Sequence, residues 1–513
     1  MIYVVDLFCG GGGTSTGASQ AENVKVIYCV NHDPIAIKSH KANHPDCIHA
    51  IEDIRKLNMT VLKNLIAKIR LDDPEALFAL WASLECTNHS KAKGGMSRDA
   101  DSRTLAYDLL RYLEIPFDIV YIENVREFLI WGPLRIKEGK KSDHSQSELV
   151  VDKKGRYHMI PVPEEKGVYY NDWIKKMKAF GYDYDYKILN AADFDAYTSR
   201  IRYFAQFAKP SFNIEWPKPT NSKKANSKNS LFPENELKPW RAVKDVLDLE
   251  EMGDSIFIPG RITSDKTFER IYGGLIKHVA KENQRQFIQK YYGTGKNVSS
   301  IETVSGTIPT KDRMALMSIN HFVYRDFGGE TNSSIDSIAG TILGNPKMNL
   351  ISTDPLILNF NSSTSPVTSS NEISPTVTTV RTHYIINPSW FSLSTRSIED
   401  PGPTLIARMD KAPHYLITTE SGELAIEVYD TDLPYAVKIK EFMAMYGLKD
   451  VLMRMFSEKE LLRIMGFPDN YILLGNKTEN KKFIGNAVEV KQAKAILSTS
   501  SKANSYPEKV LVA

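Results

Sequence analysis

The first fifteen residues constrain the fold more than any other stretch, because they join a buried strand to a glycine turn. Residues 2–7 form an apolar strand, and Gly10–Gly13 follow before a stretch of small residues that can start a helix. Strand, glycine turn and helix are typical of the opening of a doubly wound α/β fold that binds nucleotides. The turn matches neither the GxGxxG pattern nor the GK[ST] ending of a phosphate loop, so these residues alone do not identify the ligand.

The next predicted strand, residues 24–30, also ends in polar residues that could hold such a ligand. It leads into Asn31, His32, Asp33 and Pro34. In this fold a polar residue after the second strand binds ribose hydroxyls, and Asn31 or Asp33 could do so. Asp33 followed by Pro34 is also a typical helix N-cap, and both roles can hold together.

A cysteine and a glutamate each follow a predicted buried strand. The apolar run at residues 76–84 ends just before Cys86, and the strand at residues 119–122 ends at Glu123. Strand ends of this kind are where such sheets place ligands, so the two side chains can face one crevice. A thiol nucleophile and a carboxyl proton donor together can add to an electron-poor ring and protonate it. Taken alone, Cys86 would more often be a buried thiol that only packs.

Together these features resemble the DNA (cytosine-5)-methyltransferase family. Six segments similar to its motifs occur in family order and run nearly from end to end: Asp6–Gly13, Cys86 with Asp101–Arg103, Glu123–Val125, Asn190–Arg202, Arg454–Pro468 and Gly485–Val488. The resemblance implies an α/β fold, in which a doubly wound Rossmann-like methyltransferase domain carries a second, β-rich target-recognition domain. It also implies methyl transfer to C5 of cytosine in double-stranded DNA, with the base flipped out of the duplex.

The resemblance assigns roles to individual residues. Cys86 would be the nucleophile, Glu123 the proton donor, and Arg200 with Arg202 would hold the flipped base and orient the loop or the acid. S-adenosylmethionine would be the cofactor, and the residues expected to bind it are Phe8, Gly10, Gly12, Asn31, His32, Asp53, Ile54, Asn486 and Val488. Without the resemblance, Asp53 could equally be a surface loop residue.

The sequence departs from the family pattern around several of these residues. The family's usual Pro-Cys-Gln is replaced by Glu85-Cys86-Thr87. A carboxylate beside a thiol raises the pKa of the thiol unless the carboxylate points away from it. Thr198 replaces the Gln of the QxRxR segment, and Asn31 replaces an acidic ribose ligand. An RNA cytosine-5 methyltransferase and a catalytically inactive methyltransferase-like DNA-binding protein therefore remain as alternatives.

Residues 286–418 contain four copies of one short sequence motif, and each copy is followed by a predicted strand. The copies start at Ser305, Ala339, Ser374 and Gly402, so the steps are 34, 35 and 28 residues. A repeat of this kind indicates a β-rich module, and its position is that of the family's target-recognition region. The basic residues expected to contact DNA from the loops after the short Thr-containing strands are Arg313, Lys347, Arg381 and Arg408.

The 513 residues are too many for one core and predict several domains. The expected limits are 1–208 for the catalytic domain with an added segment at about 137–165, 209–285 for a linker, 286–418 for target recognition and 430–498 for a return to the catalytic domain. The four cysteines include no CxxC pair, so reduced thiols and no metal site are expected. We also expect a cytoplasmic monomer without a leader or membrane span, in a bacterial or phage-infected cell, and a cognate restriction endonuclease is a candidate partner. The net charge of +3 permits a polyanionic partner without requiring one.

Overall fold

The computed structural model places most of the chain in two compact units. The residues it describes are 1–84, 105–136, 138–140, 147–149, 159–223, 225, 237–251, 253–280, 286–290, 298–308, 310, 314–321, 323–325, 332–333, 348–350, 356–359, 367–369, 383–385, 426, 428–445 and 448–504. Unit 1 comprises Met1–Asp248, Glu302–Arg313 and Phe456–Ala513, and unit 2 comprises Leu249–Ile301 and Met314–Met455. The domain limits expected from the sequence stay predictions.

Unit 1 is built on a seven-stranded mixed sheet. Its strands are β1 (Ile2–Leu7), β2 (Val24–Asn31), β3 (Ile48–Ile51), β4 (Leu77–Ser83), β5 (Ile119–Asn124), β6 (Asp183–Asn190) and β7 (Ile201–Ala208). The spatial order is β6-β7-β5-β4-β1-β2-β3. Strands β1 to β5 are parallel, whereas β7 runs antiparallel to both β5 and β6. The predicted α/β class is therefore confirmed for this unit, which has a seven-stranded mixed sheet.

The strand order determines where a ligand can bind. Strand β1 lies between β2 and β4, so the chain moves outward from β1 in both directions. In open α/β sheets the ligand crevice lies at the carboxyl ends of the strands where this reversal occurs. The ends of β1, β2 and β3 therefore form one side of the crevice, and the ends of β4 and β5 form the other.

Helices cover both faces of this sheet, which explains why its central strands are continuously apolar. The α-helices of unit 1 are α1 (Gly13–Ser19), α2 (Pro34–Asn43), α3 (Thr60–Asp72), α4 (Leu105–Asp108), α5 (Val168–Lys178), α8 (Glu458–Ile464), α9 (Lys477–Asn486) and α10 (Val490–Asn504). Two further helices, α6 (Asp265–Gly274) and α7 (Pro434–Met445), belong to unit 2. Leu62 of α3 and Trp173 of α5 pack on one face, and Ile496 of α10 packs on the other. The C-terminal helix thus completes the core that the N-terminal strands begin.

Shorter elements complete unit 1. Short 3₁₀ segments lie at Leu109–Glu114, Arg126–Ile130, Pro163–Glu165, Ala191–Phe194 and Val243–Val246. Within the expected added segment and its borders, two strand pairs form, Leu134–Ile136 with Met159–Pro161 and Glu138–Lys140 with Ser147–Leu149. Asn221–Ser222 pairs with Lys238–Pro239. The added segment is therefore at least partly a β-structure.

Unit 2 contains α6, α7 and a π-helical turn at Leu275–Ala280 beside a five-stranded sheet. In spatial order its strands are Asp254–Ser255, Leu448–Met455, Met314–His321, Gln286–Lys290 and Val298–Ser300. Two three-stranded sheets contain Asn332–Ser333, Val323–Arg325 and Met348–Leu350, and Val367–Ser369, Leu356–Asn359 and His383–Ile385. The strand predicted after a repeat copy is confirmed for the first three copies, and the fourth lies outside the described residues. None of the described helices is long and apolar enough to cross a bilayer.

Candidate functional site

A buried acid lies at the carboxyl end of β5. Glu123 is 5% exposed and sits directly opposite Ser83, the last residue of β4. Its Oε1 lies 3.2 Å from Nε of Arg202 on the neighbouring strand β7. The side chain of Arg202 is 13% exposed, so the pair is largely shielded from water, and removing one partner would leave the other charge poorly compensated. The acid predicted from the sequence therefore has a fixed cationic partner beside the strand that leads towards Cys86.

The two predicted arginines have different partners. Whereas Arg202 pairs with Glu123, Arg200 is 2% exposed and donates from Nη1 to the carbonyl oxygen of Gly485 at 3.1 Å. Gly485 lies near the end of α9, in the segment expected to complete the cofactor pocket. The structure thus places Arg202 against the acid and Arg200 against α9.

The first repeat copy supports the segment that carries both arginines. The backbone N–H of Ser199 donates to the Ser305 carbonyl at 2.7 Å, and the N–H of Ser305 donates to Tyr197 at 2.7 Å. Thr198, which replaces the family glutamine, donates from Oγ1 to the Gly306 carbonyl at 2.9 Å. The hydroxyl of Thr198 therefore links this segment to the repeat.

The glycine turn after β1 is enclosed by the C-terminal segment of the chain. A Cβ at Gly12, whose φ is +83°, would overlap the Tyr471 hydroxyl, and a Cβ at Gly13 would overlap the Val488 carbonyl oxygen. The Tyr471 hydroxyl donates to the Gly11 carbonyl at 2.8 Å. At Gly10, by contrast, a Cβ would only make van der Waals contact with the Phe8 carbonyl oxygen, at 3.6 Å. Gly10 is thus the glycine of this turn that leaves most room for a ligand.

The ends of β2 and β3 lie side by side. The N–H of Glu52 donates to the carbonyl of Asn31 at 3.1 Å. Exposed His32 is close enough to help lower the pKa of Asp53, which falls to about 2 chiefly through hydrogen bonds from Arg55. Asp53 is therefore a stable carboxylate. Ile54, which follows it, is buried in the core.

The helix N-cap interpretation of Asp33 is confirmed. Its Oδ1 accepts from the N–H groups of Ile35 and Ala36 at 3.0 and 3.2 Å, and Pro34 is the first residue of α2. The Oδ1 of Asn31 accepts from the N–H of Asp33 at 2.9 Å, which fixes the Asn31 side chain at the end of β2.

Two more acids are buried beneath the glycine turn. Asp6 accepts a hydrogen bond from Ser15 Oγ at 2.7 Å, and burial raises its pKa to about 7. Glu489 accepts from the N–H of Gln492 at 2.7 Å, and burial raises its pKa to about 8. The nearby charges of Lys491 and Arg200 lower the pKa of Glu489 by less than burial raises it. At pH 7 Glu489 is therefore mostly protonated, and Asp6 is near its titration midpoint.

Several predicted site residues are not part of this geometry. Asn486 is the last residue of α9 and is exposed. Val488 is buried, and its carbonyl oxygen packs against Gly13 of the glycine turn. The predicted nucleophile and all four predicted DNA contacts lie outside the described residues: Cys86, Arg313, Lys347, Arg381 and Arg408. Their roles stay predictions.

Sequence reasoning missed the residues that hold the site in shape. Arg111 Nη2 donates to the Leu57 carbonyl at 3.0 Å, and Tyr112 donates to the Ile54 carbonyl at 2.7 Å, so both fix the loop after β3. Tyr471 is the corresponding support for the glycine turn. A local signal existed only for Arg55, which is two residues from Asp53. The other contacts join distant parts of the chain and leave no mark in local spacing.

Comparison with known proteins identifies a family. The model for C-5 cytosine-specific DNA methylases matches residues 2–130 and 162–502, omitting much of the expected added segment. Type II methyltransferase M.AgeI of Thalassovita gelatinovora is 24% identical over 265 residues, 50% of this chain and 52% of that protein. Type II methyltransferase M.AquIA of Picosynechococcus is 22% identical over 245 residues, 48% of this chain and 87% of that protein. The matched region thus spans about half the length of M.AgeI.

Similarity to solved structures is weak. The crystal structure of a Spodoptera frugiperda DNMT2 variant aligns with 98% of this chain and 99% of its own, with a TM-score of 0.43 and 14% sequence identity. The Entamoeba histolytica methyltransferase EhMeth aligns with 98% of each chain, with a TM-score of 0.42 and 12% identity. Neither likeness carries an argument about activity.

Proposed function

The chain belongs to the C-5 cytosine-specific DNA methylase family, and we propose that it transfers a methyl group from S-adenosylmethionine to C5 of cytosine in double-stranded DNA. The observation that carries this proposal is the buried Glu123–Arg202 pair at 3.2 Å, directly beside the end of β4. Cys86 follows Ser83 by three residues, so chain length keeps their Cα atoms within about 11 Å. A sulfur and a carboxyl group can then reach opposite edges of one pyrimidine.

The reaction needs activation because C5 of cytosine is a poor nucleophile. The Cys86 thiolate forms a bond to C6 while Glu123 delivers a proton to N3, and electron density moves to C5. S-adenosylmethionine, when bound, supplies the electrophilic methyl group. A water molecule takes the C5 proton, and the C5–C6 double bond forms again as the C6–sulfur bond breaks and its electron pair returns to Cys86. N3 then gives its proton back to the Glu123 carboxylate.

Arg202 has a specific part in this scheme. Its guanidinium stabilises the carboxylate that remains after Glu123 has given its proton, and it holds that side chain at the end of β5. Arg200 is a positioning residue and does not contact the reacting atoms, because its buried side chain donates to the Gly485 carbonyl oxygen. It joins the arginine segment to the cofactor side of unit 1.

The residues at the ends of β1, β2 and β3 fit an adenosyl cofactor. Asp53 is a stable carboxylate and Asn31 an amide, both suited to hydroxyl or amino groups of an adenosyl unit. Gly10 is the least crowded glycine of the turn, with the Phe8 carbonyl oxygen at van der Waals distance from a Cβ built there. No atom of a cofactor is needed to hold these side chains, because Arg55 and the N–H of Asp33 already do so.

Duplex DNA is the proposed substrate because the family acts on it and the repeat region supplies basic loops in the sequence. A target carbon inside a duplex is inaccessible, so the cytosine must rotate out of the stack. A monomer acting beside a cognate restriction endonuclease is consistent with the type II names of the two relatives.

The deciding experiment measures tritiated methyl transfer by the full chain to mixed-sequence duplex DNA and to tRNA. We expect transfer to DNA, its loss in Cys86→Ser with cofactor binding retained, and a covalent adduct with 5-fluorocytosine DNA by intact mass. Transfer to tRNA alone would move the substrate class to RNA. Cofactor binding without transfer to either acceptor would indicate an inactive DNA-binding protein. Sequencing methylated cytosines after expression in an unmethylated host would give the recognised sequence.

A further inference from the structure

Four polar side chains meet on the side of unit 1 away from β5. Cys29 lies on β2, His40 on α2, Cys47 just before β3 and His49 on β3, where it pairs directly with Cys29. One ligand atom from each of the four lies within 4.8 Å of all the others. Cys29, His40 and Cys47 are buried and His49 is half-buried.

The individual separations are close to those of a tetrahedral metal site. The two sulfurs are 3.4 Å apart, Nδ1 of His40 is 2.9 Å from Nε2 of His49, and the Cys47 sulfur is 3.4 Å from Nε2 of His49. With zinc–nitrogen bonds of about 2.0–2.1 Å and zinc–sulfur bonds of about 2.3 Å, tetrahedral edges measure roughly 3.3–3.8 Å. These three separations lie within about half an ångström of the tetrahedral edges, and all six are at most 4.8 Å, about 1 Å above the longest edge.

Without a cation, this group would be poorly satisfied for its burial. Two neutral imidazoles share at most one N–H···N hydrogen bond, and thiols are weak donors and acceptors. One divalent cation with two thiolates and two neutral imidazoles is a neutral assembly, which suits a buried site.

We propose that Cys29, His40, Cys47 and His49 bind one Zn²⁺ ion in a structural Cys₂His₂ site. The ligand set selects zinc because thiolate and imidazole in a closed tetrahedral arrangement are typical of it. The sequence predicted no metal site because the spacings, ten, six and one residues between successive ligands, match no CxxC or HxxxH pattern. Only the packing of α2 against β2 and β3 brings the four together.

The site would join three elements that end at the proposed cofactor pocket. Strand β2 leads to Asn31 and β3 leads towards Asp53, while α2 begins at the Asp33 cap. Strand β3 is the edge of the sheet and has only four residues. A metal bound by His49 and Cys47 would therefore hold this short strand against β2.

The test starts with metal analysis of the full chain, purified under reducing conditions without chelators or metal-affinity resin. We expect about one zinc per chain by plasma mass spectrometry. Replacement by Co²⁺ should give the intense visible absorption of a tetrahedral site and a thiolate-to-cobalt charge-transfer band. His49→Ala should lose the metal without hollowing the core, because His49 is half-buried, and Cys47→Ser should lose it as well.

Matched controls come from the same neighbourhood. Cys9→Ser removes a buried thiol beside Cys29, and His44→Gln removes an imidazole whose ring centre is 4.7 Å from that of His40, so both should retain the metal. A folded chain that contains no zinc and takes up neither Zn²⁺ nor Co²⁺ after reduction would overturn the proposal. So would a Cys29–Cys47 disulfide in the native chain, or metal retained by His49→Ala. Metal content is independent of methyl transfer, so the two proposals fail separately.

Discussion

Unit 1 buries carboxyl groups in two contrasting ways. At the end of β5, the Glu123 carboxyl group has a cationic partner, because Nε of Arg202 lies 3.2 Å from its Oε1. Beneath the glycine turn, Asp6 and Glu489 are buried with hydrogen bonds from neutral groups, and burial raises the pKa values to about 7 and about 8. The contrast teaches that the carboxyl group at the end of β5 is held by a cation, whereas the two near the glycine turn are held by hydrogen bonds from neutral groups.

Replacing the carboxyl group of Glu123 should have the largest effect on methyl transfer. Glu123→Gln keeps the volume but cannot deliver a proton in the same way, and we expect methyl transfer to fall about 10²–10⁴-fold. The measurement is tritiated methyl incorporation, with cofactor affinity by calorimetry on the same sample. Cofactor affinity should stay close to that of the wild type, because Glu123 lies away from the ends of β2 and β3.

Glu123→Gln also leaves Arg202 without its partner, so a second variant separates chemistry from folding. Glu123→Gln with Arg202→Met removes both charges and should recover thermal stability without recovering turnover. Turnover within tenfold of the wild type in either variant would contradict the role of Glu123 as proton donor.

Neutral burial at Glu489 predicts a pH-dependent stability. The folded-state pKa of about 8 exceeds the ordinary value of 4.5, so the folded chain binds this proton more tightly than the unfolded chain. The stabilisation is fully present below pH 4.5 and is lost as the pH rises through 8. Integrated over this window, the loss amounts to a few kcal/mol.

Glu489→Gln is the matched test, since glutamine has no proton to lose. Thermal unfolding midpoints measured from pH 5 to 9 should fall less steeply with pH in the variant than in the wild type. Parallel curves for the two proteins would show that Glu489 is ionised in the folded chain, and the contrast with Glu123 would disappear.

The space around the glycine turn gives the next prediction. In Gly13→Ala the new methyl group would overlap the carbonyl oxygen of Val488, so the start of α10 must move. We expect a loss of about 2–3 kcal/mol in the free energy of unfolding, measured by denaturant titration. The control is Gly273→Ala, in α6, where a Cβ meets no described atom within 4 Å and stability should not fall. Equal stabilities for both variants would contradict the packing of Val488 on the turn.

The smallest effect on stability is expected at Asp33, a half-buried carboxylate that caps a helix and lies outside the Glu123–Arg202 pair. Asp33 caps α2, and Asp33→Ala should cost about 1 kcal/mol, whereas Asp33→Asn should cost much less because its side-chain oxygen still accepts both N–H groups. Thermal unfolding of the three proteins compares them directly. A loss in Asp33→Asn as large as in Asp33→Ala would assign the effect to the charge, which faces Lys482 at 3.7 Å.

The amino-acid sequence by itself determined the local features of this protein. The apolar strand before the glycines, the Asp33 cap with Pro34 and the position of Glu123 after a buried strand all follow from short-range spacing. The order of the family motifs along the chain is equally a property of sequence. These features could be predicted because strand burial, helix capping and turn formation act between residues that are near neighbours.

Only the tertiary structure decided which distant residues meet. It gave the two arginines different partners although they are only two positions apart in the sequence: Arg200 contacts Gly485, and Arg202 contacts Glu123. It placed Val488 over Gly13 and brought four cysteine and histidine ligands to one point. The physical reason is that such contacts arise from the packing of whole strands and helices, and the spacing of residues within any one element does not encode them.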